Sequence, residues 1–161
     1  MQIDELLRNN QLRAWRVAAP HLAAQPVLGV AVVTCMDARI EVVSTLGLQQ
    51  GDVHLISNAG AAVTDDTLRS LLVSQRVLQT REVMLIAHSG CGMGSLDSSR
   101  FIAELGAEPP FDLQTFRDVD EHVRKGVARI RSFELLPARD AVRGFVLELP
   151  TGQLREVAAE G

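Results

Sequence analysis

The sequence predicts an α/β protein with a mostly parallel central sheet flanked by helices. Three observations carry that expectation. Residues 27–34, 53–57 and 82–87 are short, apolar, β-branched runs without alternation, as strands covered on both faces should be. Segments with helical apolar spacing lie between and after them. Small-residue loops or polar motifs follow the carboxyl ends of the first and third runs, and each contains a cysteine.

The elements follow in order. Residues 3–18 place Leu6, Leu7, Leu12, Trp15 and Val17 among Glu and Arg, the pattern of an amphipathic helix. It has no obvious hairpin partner, so it lies either across its own domain or across a neighbouring subunit. Pro20 and Pro26 bracket a connection. The first strand, 27–34, delivers Cys35 at its carboxyl end. Ile40, Val43 and Leu46 then recur at helical spacing, stopped by Gly47 and the turn-like Gly51-Asp52. After the second strand, residues 58–62 form a tight small-residue loop.

Thr64-Asp65-Asp66 starts the clearest helix, with Thr64 as N-cap and two acids at the positive end of the dipole. That helix is expected to run to about Thr80. The third strand, 82–87, ends at His88, and three glycines between Ser89 and Gly94 let the chain bend closely around an ion. A short helix is expected over 98–105 and a longer one from about Asp112 to Ser132, with Phe116, Val119, Val123, Val127 and Ile130 on one side. Residues 141–149 and 153–157 read as a hairpin at the sheet edge.

The totals agree with one domain over 1–161, with 1–18 as an N-terminal helical arm. The formal charge of −4 gives no footprint for nucleic acid or an anionic membrane surface. No apolar run approaches the roughly 18–20 residues that span a bilayer. The first residues are acidic rather than signal-like, and two cysteines make no disulfide framework. A cytoplasmic protein is expected.

Cys35, His88 and Cys91 supply two sulfurs and one imidazole, a set that Zn²⁺ favours, with a fourth position left open for catalysis. Alone, His88-x-x-Cys91 also fits a buried cysteine beside a capping histidine, and Asp37 with Arg39 also fits a surface ion pair. Two such motifs at matching ends of separate strands favour one shared site. A strand order of 2-1-3-4, with the antiparallel edge strand beyond, makes the first and third strands neighbours. The reversal of strand order then falls between them, where ligands bind in such sheets. Two thiolates and a neutral imidazole cancel the charge of the ion. Asp37 can accept a hydrogen bond from the attacking solvent, and Arg39 can hold that carboxylate in a fork and keep it ionised. Asp37 can also serve as a fourth ligand, which would displace water in an inactive state exchanging with pH.

These motifs resemble those of the beta-class carbonic anhydrases, specifically the short bacterial and actinobacterial type. The family's C-x-D-x-R is met by Cys35, Asp37 and Arg39, and its H-x-x-C by His88 and Cys91. Asn58-Ala59-Gly60, Val63-Thr64-Asp65-Asp66 and Cys91-Gly92-Met93 agree as well. The resemblance implies reversible hydration of CO₂ to bicarbonate and a proton by zinc-bound hydroxide. It also implies a homodimer or dimer of dimers, in which the N-terminal helix embraces the partner subunit. Two positions depart from the pattern: Ser57 stands where an arginine is common, and Ala61 where a second glycine is common.

Other chemistry reads more weakly. His54 and His122 could relay protons, yet a half-buried strand histidine and a solvated helix histidine describe them better. Arg124, Lys125, Arg129 and Arg131 read as a solvated basic helix face. No Lys-Ser/Thr follows the glycines around Cys91, against phosphate binding. Cys35 and Cys91 as a redox pair leave His88 unexplained. The alternatives to CO₂ hydration are hydrolysis of carbonyl sulfide or carbon disulfide on the same scaffold, and a non-catalytic zinc-stabilised binding module.

Overall fold

A computed structural model describes residues 1–158; residues 159–161, the end of the expected single domain, lie outside the described residues. Five strands form one sheet in the order β2-β1-β3-β4-β5 among the described residues. They are β1 (Val30–Cys35), β2 (Val53–Asn58), β3 (Glu82–His88), β4 (Val142–Glu148) and β5 (Gln153–Val157). β2, β1, β3 and β4 pair in parallel, and β5 closes the edge antiparallel to β4. The anticipated order and edge hairpin are both present.

Residues 27–29 fall outside β1 because Gly29 turns with φ +66°. Inward and outward residues of β1 and β3 are both buried, with Ala31 and Val33 in one core and Val32 and Ile86 in the other. Helices on both faces account for that, and for the absence of alternation in the sequence.

The helices are α1 (Gln2–Val17), α2 (Val42–Leu46), α3 (Asp65–Arg76), α4 (Gly92–Ser95), α5 (Ser98–Leu105) and α6 (Val119–Ser132). Thr64 caps α3 by accepting from the Thr67 N–H at 3.3 Å, as its sequence position suggested. α3 stops at Arg76, four residues before the expected end, and the chain turns through Gln79 at φ +63°. α6 is a larger correction, since it begins at Val119 rather than near Asp112. Asp118 sets that start by accepting from the N–H groups of Asp120 and Glu121 at 2.8 and 3.0 Å. Gln114 at φ +56° keeps the preceding residues out of the helix.

α6 lies close against the sheet. A Cβ on Gly144 of β4 would stand 2.3 Å from Val123 Cγ1, and one on Gly126 would stand 2.6 Å from Leu85 Cδ2. Glycine at both positions is what lets helix and sheet approach. Of the basic residues of α6, Lys125 is solvated as expected, while Arg129 and Arg131 reach partners on other elements. Arg129 pairs with Asp65 at 2.6 Å, Lys125 with Glu121 at 2.6 Å, and Arg131 donates to the Val142 carbonyl at 3.0 Å. No helix among the described residues is long and apolar enough to cross a membrane.

Candidate metal centre

Parallel pairing carries the carboxyl ends of β1 and β3 to the same level of the sheet. Cys35 is the last residue of β1, His88 the last of β3, and Cys91 follows across the turn Ser89-Gly90. All three are buried. One ligand atom from each lies within 4.8 Å of the others, and the two sulfurs are 4.0 Å apart. Two sulfurs sharing a tetrahedral ion at ~2.3 Å each would lie ~3.8 Å apart, so the spacing suits Zn²⁺.

The imidazole is set for ligation. His88 Nδ1 donates to the Ser89 carbonyl at 3.0 Å, which leaves Nε2 with a lone pair. Nε2 is buried and has no hydrogen-bond partner among the described residues. A bare, buried nitrogen acceptor beside two buried sulfurs costs free energy unless something fills the space between them. The donor set and this orphaned atom therefore fit the ion.

Backbone amides surround the sulfurs. The Gly60 N–H donates to Cys35 Sγ at 3.3 Å. Burial pushes the Cys91 thiol above its ordinary value, with the nearby Cys35 adding to the rise, while N–H groups of Met93 and Gly94 oppose it. A divalent cation reverses that balance, because a coordinating thiol is deprotonated outright.

Asp37 and Arg39 form a separate unit at the rim. Arg39 Nε and backbone N–H reach Asp37 Oδ1 at 2.9 and 3.0 Å, and Nη2 reaches Oδ2 at 2.6 Å. These bonds hold the Asp37 carboxyl well below the usual carboxylate range. The same Nη2 donates to the Gly90 carbonyl at 3.0 Å, so one guanidinium ties the loop after β1 to the loop carrying Cys91. Asp37 Oδ2 lies 3.8 Å from His88 Nε2. In this arrangement Asp37 stands outside the three-donor group, held by Arg39.

The other histidines divide. His54 sits between Ser74 Oγ at 2.8 Å and the Ala24 carbonyl at 2.9 Å, a half-buried strand residue as expected. His122 is not solvated. Its ring stacks on Phe116 at 4.1 Å, and its Nε2 donates to the Gly60 carbonyl at 2.8 Å. Sequence reasoning missed this contact by counting Phe116 among the residues of a longer helix. The Asp118-x-Asp120-Glu121 run, an N-cap followed by first-turn acids, was the signal that could have shortened it. Ser57 is exposed on β2, and Ala61 is buried at φ +56°, in the region glycine adopts without strain.

The carbonic anhydrase family model matches residues 30–104, which include every residue of the candidate centre. The chain is 40% identical to beta-carbonic anhydrase 1 of Mycobacterium tuberculosis (strain ATCC 25618 / H37Rv) over 158 residues, 96% of each chain. It is 30% identical to a carbon disulfide hydrolase of Acidithiobacillus thiooxidans over 77% of this chain and 74% of that one. The solved structure of carbonic anhydrase from Streptococcus mutans superposes with a TM-score of 0.90 at 33% identity, covering 98% of both chains. Similarity of this extent, over nearly the whole length, places the chain in the beta-class carbonic anhydrase family.

Proposed function

We propose that the chain catalyses reversible hydration of CO₂ to bicarbonate and a proton, with zinc held by Cys35, His88 and Cys91. The observation that carries this reading is the buried convergence of two sulfurs and an orphaned imidazole nitrogen beside an arginine-clamped carboxylate. Zinc in that position supplies Lewis-acid activation of water for addition to CO₂.

The chain's own residues supply orientation. Asp37 Oδ2, the oxygen closer to His88 Nε2, accepts a hydrogen bond from the attacking water and aims its lone pair at the carbon. The two-point grip of Arg39 fixes the direction of that acceptor, which suits Asp37 to orienting the water. The proton released leaves through solvent to buffer. Arg39 keeps the acceptor ionised and locks it to the loop of Cys91.

Stopped-flow CO₂ hydration with metal content measured in parallel tests the reading. Cys35→Ser should lose zinc and activity together. Asp37→Asn should keep zinc and lose kcat by roughly 10²-fold or more. Retention of full activity by Asp37→Asn would remove the orienting role.

Hydrolysis of carbon disulfide is the second reading, favoured by the 30% identity to carbon disulfide hydrolases. The 40% match covering 96% of both chains weighs against it. Hydrogen sulfide release from carbon disulfide faster than CO₂ hydration would select it.

The assembly belongs to the same proposal. Residues 1–161 act as one domain in the cytoplasm, and the protein works as a homodimer or dimer of dimers. The support is α1, whose Ile3, Leu6, Leu7, Leu12, Trp15 and Val17 are all more than half exposed within one chain. A stripe of that size needs a cover, and a second copy is the occupant that the family resemblance implies.

A further inference from the structure

We propose that His122 is a positioning residue for the Cys35 sulfur, acting through the Gly60 turn; the inference rests on the metal-centre reading above. Two bonds make the link. His122 Nε2–H donates to the Gly60 carbonyl at 2.8 Å, and the Gly60 N–H donates to Cys35 Sγ at 3.3 Å. His122 sits on α6 and Cys35 on β1, so a helix on one face of the sheet reaches a metal-ligand sulfur by way of one residue.

The turn needs outside support. Gly60 has φ +77°, and Ala61 after it has φ +56°. Gly60 takes that conformation freely, but the L-residue Ala61 resists it, so the turn does not hold itself in place. Packing closes one side: a Cβ on Gly60 would meet Met93 Cβ at 3.2 Å and Phe116 Cε1 at 3.5 Å. Asn58 anchors the far end, accepting from the Ala62 N–H at 2.8 Å and donating to the Ala62 carbonyl at 2.8 Å. His122 supplies the remaining hold on the Gly60 carbonyl. Its own ring is fixed by Phe116, stacked at 4.1 Å with 17° between planes.

This arrangement bears on chemistry because an N–H···S bond draws electron density from a thiolate ligand. A less donating thiolate leaves the ion a stronger Lewis acid, and an aimed amide fixes where the sulfur sits. Losing the His122 bond frees the Gly60–Ala61 peptide, lets the Gly60 backbone relax and lengthens the N–H···S contact, so that the Cys35 sulfur is less well placed to hold the ion.

The test uses the full-length protein loaded with Co²⁺, followed by its near-ultraviolet thiolate-to-metal charge-transfer band, alongside zinc affinity from chelator competition. His122→Phe keeps a ring to stack on Phe116 and removes the donor. His122→Gln retains a side-chain N–H. His122→Phe should shift the band and weaken zinc binding roughly tenfold, with His122→Gln restoring part of both. A lowered melting temperature with band and affinity unchanged would overturn the proposal and leave His122 a structural support. If wild type shows the band but does not hydrate CO₂, the activity assignment fails, and the variants still decide the positioning role. If wild type shows no thiolate band, the metal reading and this proposal fall together.

Discussion

α1 and α6 are both amphipathic helices, with apolar residues recurring every three or four positions, yet they end in opposite surroundings. α6 buries Val123, Val127 and Ile130 completely or nearly so against β3 and β4. No residue of α1 is buried within the chain; Leu12 and Trp15 are 74% and 72% exposed. Helical periodicity records that a face needs cover and says nothing about which surface provides it. For α6 the cover is the sheet, approached closely through Gly144 on β4 and Gly126 on the helix itself. For α1 no such surface is available in one copy among the described residues. The half of the molecule that carries the metal centre is closed by its own sheet and helices, whereas the apolar face of the amino-terminal arm lies uncovered within one chain.

Substitutions on the two helices sharpen that contrast. Ile130→Ala should have the largest effect, destabilising the fold by about 2–5 kcal/mol through lost burial and a residual cavity. Chemical denaturation would measure it, and a change below about 1 kcal/mol would mean that α6 is not part of the cooperative core. A double change on α1, Leu7→Ser with Trp15→Ser, should act differently. Sedimentation should shift from dimer toward monomer, while far-ultraviolet circular dichroism of the remaining fold persists. An unchanged, concentration-independent mass would show that α1 is covered some other way.

The acid limb offers a smaller distinction. Arg155 grips Asp120 in a fork, both contacts at 2.8 Å, tying the first turn of α6 to β5. That contact lowers the Asp120 pKa from its ordinary 3.8. Because the folded value is depressed, the stabilisation is complete above about pH 4 and drains as pH falls through the folded value. The pair is partly exposed, so its contribution is modest and screened by salt. The stability gap between wild type and Arg155→Met should therefore be flat from pH 7 to 5 and shrink below pH 4. A gap that widens in acid would contradict the fork.

The smallest expected change is a gain. Gln79 holds φ +63° just past α3, where an L-residue is strained by about 1–2 kcal/mol and glycine is not. Set against the entropy that glycine adds to the unfolded chain, Gln79→Gly should stabilise by a net of roughly 0.5 kcal/mol. A loss of stability would mean that the exposed contact between Gln25 and the Gln79 side chain outweighs the backbone strain.

Most of the framework was legible before any coordinates. Residues 27–34, 53–57 and 82–87 are strands to within a few positions, the edge hairpin lies where Pro150-Thr151-Gly152 suggested, and Thr64 caps its helix. The failures have two sources. Phe116 was counted on the face of α6 because its spacing from Val119 and Val123 is helical. In the structure it packs beside Gly60 and Gly94, ahead of the helix, and stacks on His122. The same error made His122 look solvated. The spacing of the basic residues of α6 suggests one wet face, yet Arg131 turns back to a β4 carbonyl and Arg129 crosses to Asp65. The helix start was encoded locally in the Asp118 cap, whereas the reach of His122 to Gly60 and of Arg129 to Asp65 joins residues more than sixty positions apart, which no local pattern encodes.

Sequence by itself determined the alternation of strands and helices, the parallel order, and the delivery of Cys35 and His88 to neighbouring strand ends. The alternation follows from periodicity and turn chemistry, which act over short stretches of chain, and the order from the need to bring both metal-ligating motifs to one point of strand reversal. Only the tertiary structure decided that Arg39 spans two loops, that His88 Nε2 is left without a hydrogen-bond partner among the described residues, and that His122 reaches Gly60. Such contacts join residues about fifty to sixty positions apart, and their existence depends on how closely α6 and the loops settle onto the sheet.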